Sequence, residues 1–169
     1  MEFLARFRVA LGWVCAPLVF ILANPSNESM VVGTAVAVIG EAVRVWAAGH
    51  LYKAREITSS GPYRHFRHPL YVGSSIIGVG LALAAANPIA AALIALYLVV
   101  TIRAAVRSEE AFLRRRFGDQ YDLYLEQRVV NRTRRFSLPQ ALRNREYRAI
   151  AGLAVSLLLL AVKAKLTGR

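Results

Sequence analysis

Cysteine and acidic residues are scarce in this 169-residue chain. It has one cysteine, Cys15, and 10 acidic residues against 22 lysines and arginines, a net charge of +12. A single cysteine excludes an internal disulfide and any cysteine-based zinc site. Charge of either sign is thin: 19% of residues, where a soluble domain carries about 25%. Hydrophobic residues reach 56%, which excludes a disordered chain. The pattern also does not suit a soluble nucleic-acid-binding domain, whose basic residues spread over a polar face. A membrane protein with basic loops remains.

The missing charges are missing in blocks. Val9 to Asn27, Ser29 to Gly40, Pro69 to Ile102 and Ala149 to Val162 carry none. A spanning helix needs about 20 mostly apolar residues at about 1.5 Å each. The third block is too long for one helix, and Ala86-Asn87-Pro88 divides it, because proline cannot donate the N–H a helix interior requires. The sequence therefore predicts an all-α, polytopic membrane protein with about five transmembrane helices: Phe7–Ala23, Met30–Tyr52, Leu70–Ala86, Ile89–Val106 and Tyr147–Val162. Residues 108–129 read as a cytoplasmic or interfacial helical segment, interrupted at Gly118. Phe112, Phe117, Tyr121 and Tyr124 make an aromatic stripe on it, beside Arg114, Arg115 and Arg116.

Basic residues alternate between the two sides. Connections 24–29 and 86–88 hold none, while 53–68 and 103–148 hold sixteen. The positive-inside rule places the N-terminus and both basic loops in the cytoplasm. Lys163, Lys165 and Arg169 break the rule if the fifth segment spans; an interfacial position is the other reading of that segment. Arg6 and Arg8 before an apolar run look like the start of a signal peptide. No small-x-small cleavage site follows Ile21-Leu22-Ala23, so the segment is read as a retained helix.

One stretch is dense in rigid and polar residues: Gly61-Pro62-Tyr63-Arg64-His65-Phe66-Arg67-His68-Pro69-Leu70-Tyr71-Val72-Gly73. It stands where a basic loop re-enters the membrane. Gly61-Pro62 fixes a turn. Pro69 suits the first turn of a helix, whose remaining free N–H groups can hold an anion. About forty residues on, Arg103, Arg107 and Glu110 share one helix face, and Glu109 stands beside Glu110. Arg103 is the deeper arginine, so a functional role is expected of it, whereas Arg107 can reach water. Glu41 lies about 16 Å along the second segment from Met30, one turn from Arg44. The pair should face the bundle interior as an ion pair between helices, with contact to a substrate headgroup or cofactor as the competing role. Gly78-Val79-Gly80 reads as small residues for close helix packing, not a phosphate loop. No metal site is expected, because His65 and His68 have no nearby acidic or cysteine partner in sequence and His50 stands at an interface.

Gly-Pro-Tyr at 61–63, Arg-His-Pro-x-Tyr-x-Gly at 67–73, Glu-Glu at 109–110 and Phe-Gly-x-x-Tyr-x-x-Tyr at 117–124 together resemble the integral-membrane methyltransferases of the isoprenylcysteine carboxyl methyltransferase and phospholipid methyltransferase families. The likeness covers roughly residues 33–130, the core of what reads as a single domain over 1–169. It implies S-adenosylmethionine as cofactor, bound from the cytosol by Tyr63, Arg67, His68, Pro69, Tyr71, Gly73, Glu109 and Glu110. Carboxylates suit the donor's ammonium or ribose diol, Arg67 and helix N–H groups its carboxylate, tyrosine faces its sulfonium or adenine. The acceptor is expected to be an amphipathic lipid or lipidated molecule in the membrane, carrying an isoprenylcysteine-type carboxylate or a lipid amine, with Arg103 as the catalytic-site residue that positions it. Nucleic acid is not an expected partner, and no oligomeric state follows from the chain. Two other classes stay open: a dinucleotide-dependent membrane sterol reductase, which has a similar Gly-Pro-Tyr and Arg-His-Pro-x-Tyr arrangement on a longer chain, and a non-enzymatic transporter or scaffold.

Overall fold

Ser26 and Asn87 set the starts of two long helices. The Ser26 hydroxyl accepts from the Ser29 N–H while Ser29 Oγ accepts from the Ser26 N–H, a closed capping box. Asn87 Oδ1 accepts from the N–H groups of Ile89 and Ala90, and Pro88 follows at the position where a missing N–H costs nothing. In the computed structural model, residues 2–53, 55–126 and 134–168 are described, with backbone alone for 2–9. Among them are seven α-helices and no strand: α1 (Glu2–Leu22), α2 (Asn27–His50), α3 (Pro69–Ala85), α4 (Pro88–Phe117), α5 (Asp119–Leu125), α6 (Leu138–Arg143) and α7 (Tyr147–Leu166). A short 3-10 turn, Gly61–Arg64, precedes α3.

The protein is thus an all-α, polytopic membrane protein, and each of the five expected segments lies on a helix. α2, α4 and α7 are long and apolar enough to cross a bilayer; α3 has 17 residues and the apolar part of α1 runs from Ala10 to Leu22. α4 continues eleven residues beyond the expected Val106, because nothing before Gly118, with φ of +51°, stops it. The last part of the expected 108–129 segment, residues 127–129, falls outside the described residues.

α2 and α3 form the closest pair. A Cβ on Gly33 would stand 2.5 Å from the Ala84 amide nitrogen, and one on Gly80 2.5 Å from that of Ala37. Gly40 and Gly73 face each other with the same lack of room. Without a hydrophobic drive between helices in lipid, such backbone approach supplies the packing. Gly78 meets Leu98 of α4, so the small residues at 78 and 80 serve two neighbours of α3 at once.

At one end of the bundle, the Asn24 N–H donates to the Ala85 carbonyl, and Ala23, Ala84, Ala85, Ala90 and Leu160 form a buried cluster. Lys163 Nζ donates there to the carbonyls of Phe20 and Ile21, the uncapped end of α1. This gives a partner to one of the cations that broke the charge rule, at a helix C-terminus where a cation is favoured. At the opposite, basic end, α6 folds onto the end of α2: Gln140 Nε2 donates to the Leu51 carbonyl, and Asn144 Nδ2 to those of Ala48 and Leu51.

The expected Glu41–Arg44 pair is present at the long distance of 3.9 Å, and Arg44 has a closer partner on another element. Arg44 Nε donates to Glu146 Oε1 at 2.7 Å, and Nη1 donates to Ser74 Oγ. Glu41 is 3.9 Å from the same Nε, and neither of its buried carboxylate oxygens has a hydrogen-bond partner among the described residues. The better partner comes from 102 residues away, where local spacing gives no sign of it.

Candidate active site

The site is built where α3 starts and α4 leaves the apolar layer. His68 is the residue before α3, and its side chain does not cap the helix, so the ring is free to turn toward α4. Its Nε2 lies 3.2 Å from Glu110 Oε1 and its Nδ1 3.6 Å from Glu109 Oε2. The glutamates are neighbours in sequence, yet the ring sits between their carboxylates. The Tyr71 hydroxyl donates to Glu109, and the Tyr71 ring lies against His68 with centroids 5.8 Å apart. The His68 side chain is 16% exposed and those of Glu109 and Glu110 are 38% and 36% exposed, so the carboxylates can still be reached from outside.

Hydrogen bonding to Glu109 raises the His68 pKa above the ordinary histidine value; burial opposes the rise, and hydrogen bonding to Glu110 adds to it. With His68 charged, two carboxylates and one imidazolium leave a net negative centre beside the uncapped first turn of α3. Pro69 has no N–H and those of Tyr71 and Val72 already donate to the His68 carbonyl, so the Leu70 N–H is the donor left in this turn; such a centre favours a ligand with a cationic part for the glutamates and an anionic part for that N–H.

Aromatic residues close the site. Burial pushes the Tyr63 hydroxyl well above its ordinary pKa, with the Glu109 charge adding to it, so it stays a neutral donor. The Tyr124 hydroxyl donates to the Tyr63 carbonyl at 3.4 Å. Burial also raises the Tyr124 pKa, against the charge of Arg67. Tyr121 is 1% exposed, so the stripe read as interfacial is split: Phe112 is 38% exposed while Tyr121 and Tyr124 turn inward. Tyr124 and Ser60 were not singled out as site residues from sequence. The Ser60 hydroxyl is buried beside the Gly61-Pro62-Tyr63 turn with no hydrogen-bond partner among the described residues, a feature that no local motif announces.

Of the expected residues, His68, Tyr71, Glu109 and Glu110 are in direct contact, Tyr63 is close enough to feel the Glu109 charge, and Pro69 is buried at the first position of α3. Arg67 is exposed, near enough to Tyr124 for its charge to act there. Gly73 lies elsewhere, against Gly40 and Arg44 of α2. Arg103 is exposed on α4, about 9 Å of helical rise before Glu109, and has no ion pair among the described residues. His65 is exposed, and His50 is buried between Trp46 and Phe136 with Nδ1 2.9 Å from the Trp46 carbonyl. No group of three or more His, Cys, Asp or Glu among the described residues is placed to hold a metal ion.

Residues 27–120, more than half of the chain, match the sequence profile of the phospholipid methyltransferase family. The chain belongs to that family. The family match runs from α2 to the first residues of α5, which includes the His68, Glu109 and Glu110 cluster and leaves α1, α6 and α7 outside. Among curated proteins it is 34% identical over 133 residues to the nickel-cobalt-cadmium resistance protein NccN of Alcaligenes xylosoxydans xylosoxydans, covering 70% of this chain and 61% of that protein. It is 32% identical over 107 residues to a probable protein-S-isoprenylcysteine O-methyltransferase of Oryza sativa, in subspecies indica and japonica alike, covering 56% of each partner. The chain thus spans somewhat more than half the length of these relatives. No solved structure matches it significantly.

Proposed function

We propose that the chain is an S-adenosylmethionine-dependent methyltransferase acting on the polar head of an amphipathic membrane acceptor. The observation that carries this is the His68 ring between the Glu109 and Glu110 carboxylates, beside an uncapped helix start and under Tyr63, Tyr71 and Tyr124. The residues fit the donor: glutamates for its ammonium or diol, the Leu70 N–H and Arg67 for its carboxylate, tyrosine faces for its sulfonium or adenine. The family and the two isoprenylcysteine methyltransferase relatives support the same reaction class. When bound, the donor supplies a methyl group on a cationic sulfur, open to in-line attack by a nucleophile. The chain's own part is to hold the reactants in line and keep water out, which is where a reaction with so little proton chemistry gains its rate.

A carboxylate acceptor of isoprenylcysteine type arrives ionised and needs no base. Arg103 would position it through a two-pronged contact. A lipid amine acceptor would need a proton removed, and a glutamate of the pair is placed for that. The basic loops, by the positive-inside rule, support a site on the cytoplasmic side. Calorimetric titration of the detergent-purified chain with S-adenosylmethionine and, separately, with NADPH tests the donor. Binding of S-adenosylmethionine alone is expected, and binding of NADPH alone would replace this reading with the reductase one. Arg103→Lys keeps the charge but loses the planar fork, so turnover should fall roughly tenfold with donor affinity unchanged. Normal turnover per folded molecule would remove Arg103 from the acceptor site.

A further inference from the structure

α6 ends in a turn that buries one carboxylate. The Glu146 N–H donates to the Ala141 carbonyl and the Arg145 N–H to that of Leu142, the Schellman pattern of a helix C-terminus. Its left-handed position, which favours glycine, is taken by Arg145 at φ of +62°. Arg145 and Tyr147 are exposed, whereas Glu146 between them is 6% exposed. Gln140 and Asn144 tie the same turn to the last carbonyls of α2. The elbow between α6 and α7 is thus anchored, with the Glu146 side chain inside the bundle.

Glu146 reaches the elements of the donor site from two sides. Its Oε1 accepts from Arg44 Nε at 2.7 Å, and Nη1 of the same guanidinium donates to Ser74 Oγ and, at 3.5 Å, to the Leu70 carbonyl. Arg44 can cross α3 because residue 73 is glycine: a Cβ there would stand 2.6 Å from Arg44 Cγ. On the other side, Tyr63 is close enough to feel the Glu146 charge. Leu70 carries the N–H left over in the first turn of α3, two residues from His68. Arg44 also has a second choice of partner. Glu41 stands 3.9 Å from the same Nε, with no hydrogen-bond partner among the described residues.

We propose that Glu146 is a positioning residue of the donor site, acting through Arg44 as a strut from the α6–α7 elbow to the first two turns of α3. The strut keeps Leu70 and His68 in place against Glu109 and Glu110. The inference rests on the reading of that cluster as the donor's site. The elbow lies outside residues 27–120, so the strut is added to the family core by segments beyond it. One guanidinium between two carboxylates follows the stronger attraction. With Glu146 neutralised, Arg44 should turn to Glu41, three residues back on its own helix, and release α3.

Calorimetric titration with S-adenosylmethionine and hydrogen exchange, both on the detergent-purified chain, provide the test. Glu146→Gln should weaken binding about fivefold or more and speed exchange of the α3 amides at 70–76 to a similar degree. Adding Glu41→Gln removes the competing partner and should return both readouts to within about twofold of the parent chain. A purely structural Glu146 predicts the reverse, since a second lost carboxylate leaves the Arg44 charge with less compensation. Ser74→Ala keeps every charge and should weaken binding about threefold, so the result does not hang on the folding of one variant. Unchanged affinity in Glu146→Gln or in Ser74→Ala would overturn the proposal, as would a Glu41→Gln/Glu146→Gln chain that binds no better than Glu146→Gln. A chain whose exchange follows this pattern but which binds no S-adenosylmethionine would leave the strut standing and remove the methyltransferase reading.

Discussion

A histidine held by two carboxylates makes the donor-free site sensitive to pH. The His68 pKa is raised in the folded chain, first by its hydrogen bond to Glu109. Stability from this contact is therefore fully present below the ordinary histidine value of about 6.5 and is lost as pH rises through the raised folded value. Thermal unfolding of the purified chain should show this loss as pH rises from about 6.5 through the raised value, and His68→Gln should flatten the profile there. A profile identical in the variant would mean the ring is not charged between the glutamates. Glu109→Gln and Glu110→Gln each remove one charge-assisted contact, and at least one should weaken S-adenosylmethionine binding by about tenfold, as calorimetry would read it. Affinity unchanged in both variants would remove the pair from the donor site. These residues were legible in the sequence because their motifs are short and ordered along the chain. Ser60 was not, since what marks it is a buried hydroxyl without a partner among the described residues, a product of tertiary packing; Tyr124 stood in a quoted motif, but its contact with the Tyr63 carbonyl 61 residues away had no spacing signature. Gly73 shows the opposite case: it stands inside the motif, but its place is the α2–α3 contact.

Between helices, the decisive contact is the glycine seam of α2 and α3. Gly40→Leu or Gly80→Leu would push a side chain into opposing backbone less than 3 Å from where Cβ must stand, and backbone cannot yield as a flexible side chain can. Both variants should lose folded yield in a size-exclusion and thermal-shift assay, by about 10 °C or more in unfolding temperature. Gly152→Ala, where the added carbon meets nothing, should be neutral or slightly stabilising. Retained stability in Gly80→Leu would show that α2 and α3 can part without loss of the fold. The helix starts at Asn87-Pro88 and Pro69 could be read from local chemistry, whereas the start expected at Met30 falls at Asn27, after the Ser26 cap. The end of α4 could not be placed at Val106, because arginines and glutamates leave the bilayer without breaking a helix. Arg44's choice of Glu146 over Glu41 also lay beyond sequence reading, since a partner 102 residues away has no spacing signature.

Across the molecule, every basic connection among the described residues lies at the end of the bundle that holds the His68 cluster, and the connections after α1 and α3 carry no basic residue. A single cysteine placed at Ser26 in a Cys15→Ser background should react with an impermeant maleimide from outside intact cells, and one at Arg64 should not. The reverse labelling would invert the orientation. The link from Arg44 to Glu146 bears on how such a chain is made. During synthesis α2 enters the membrane about a hundred residues before Glu146 exists, so Arg44 waits in the apolar layer with only the more distant Glu41 beside it. A nascent chain halted just short of residue 146 should accordingly stay associated with the insertion machinery or be recognised by membrane proteases, and release of the last helix should end that vulnerability.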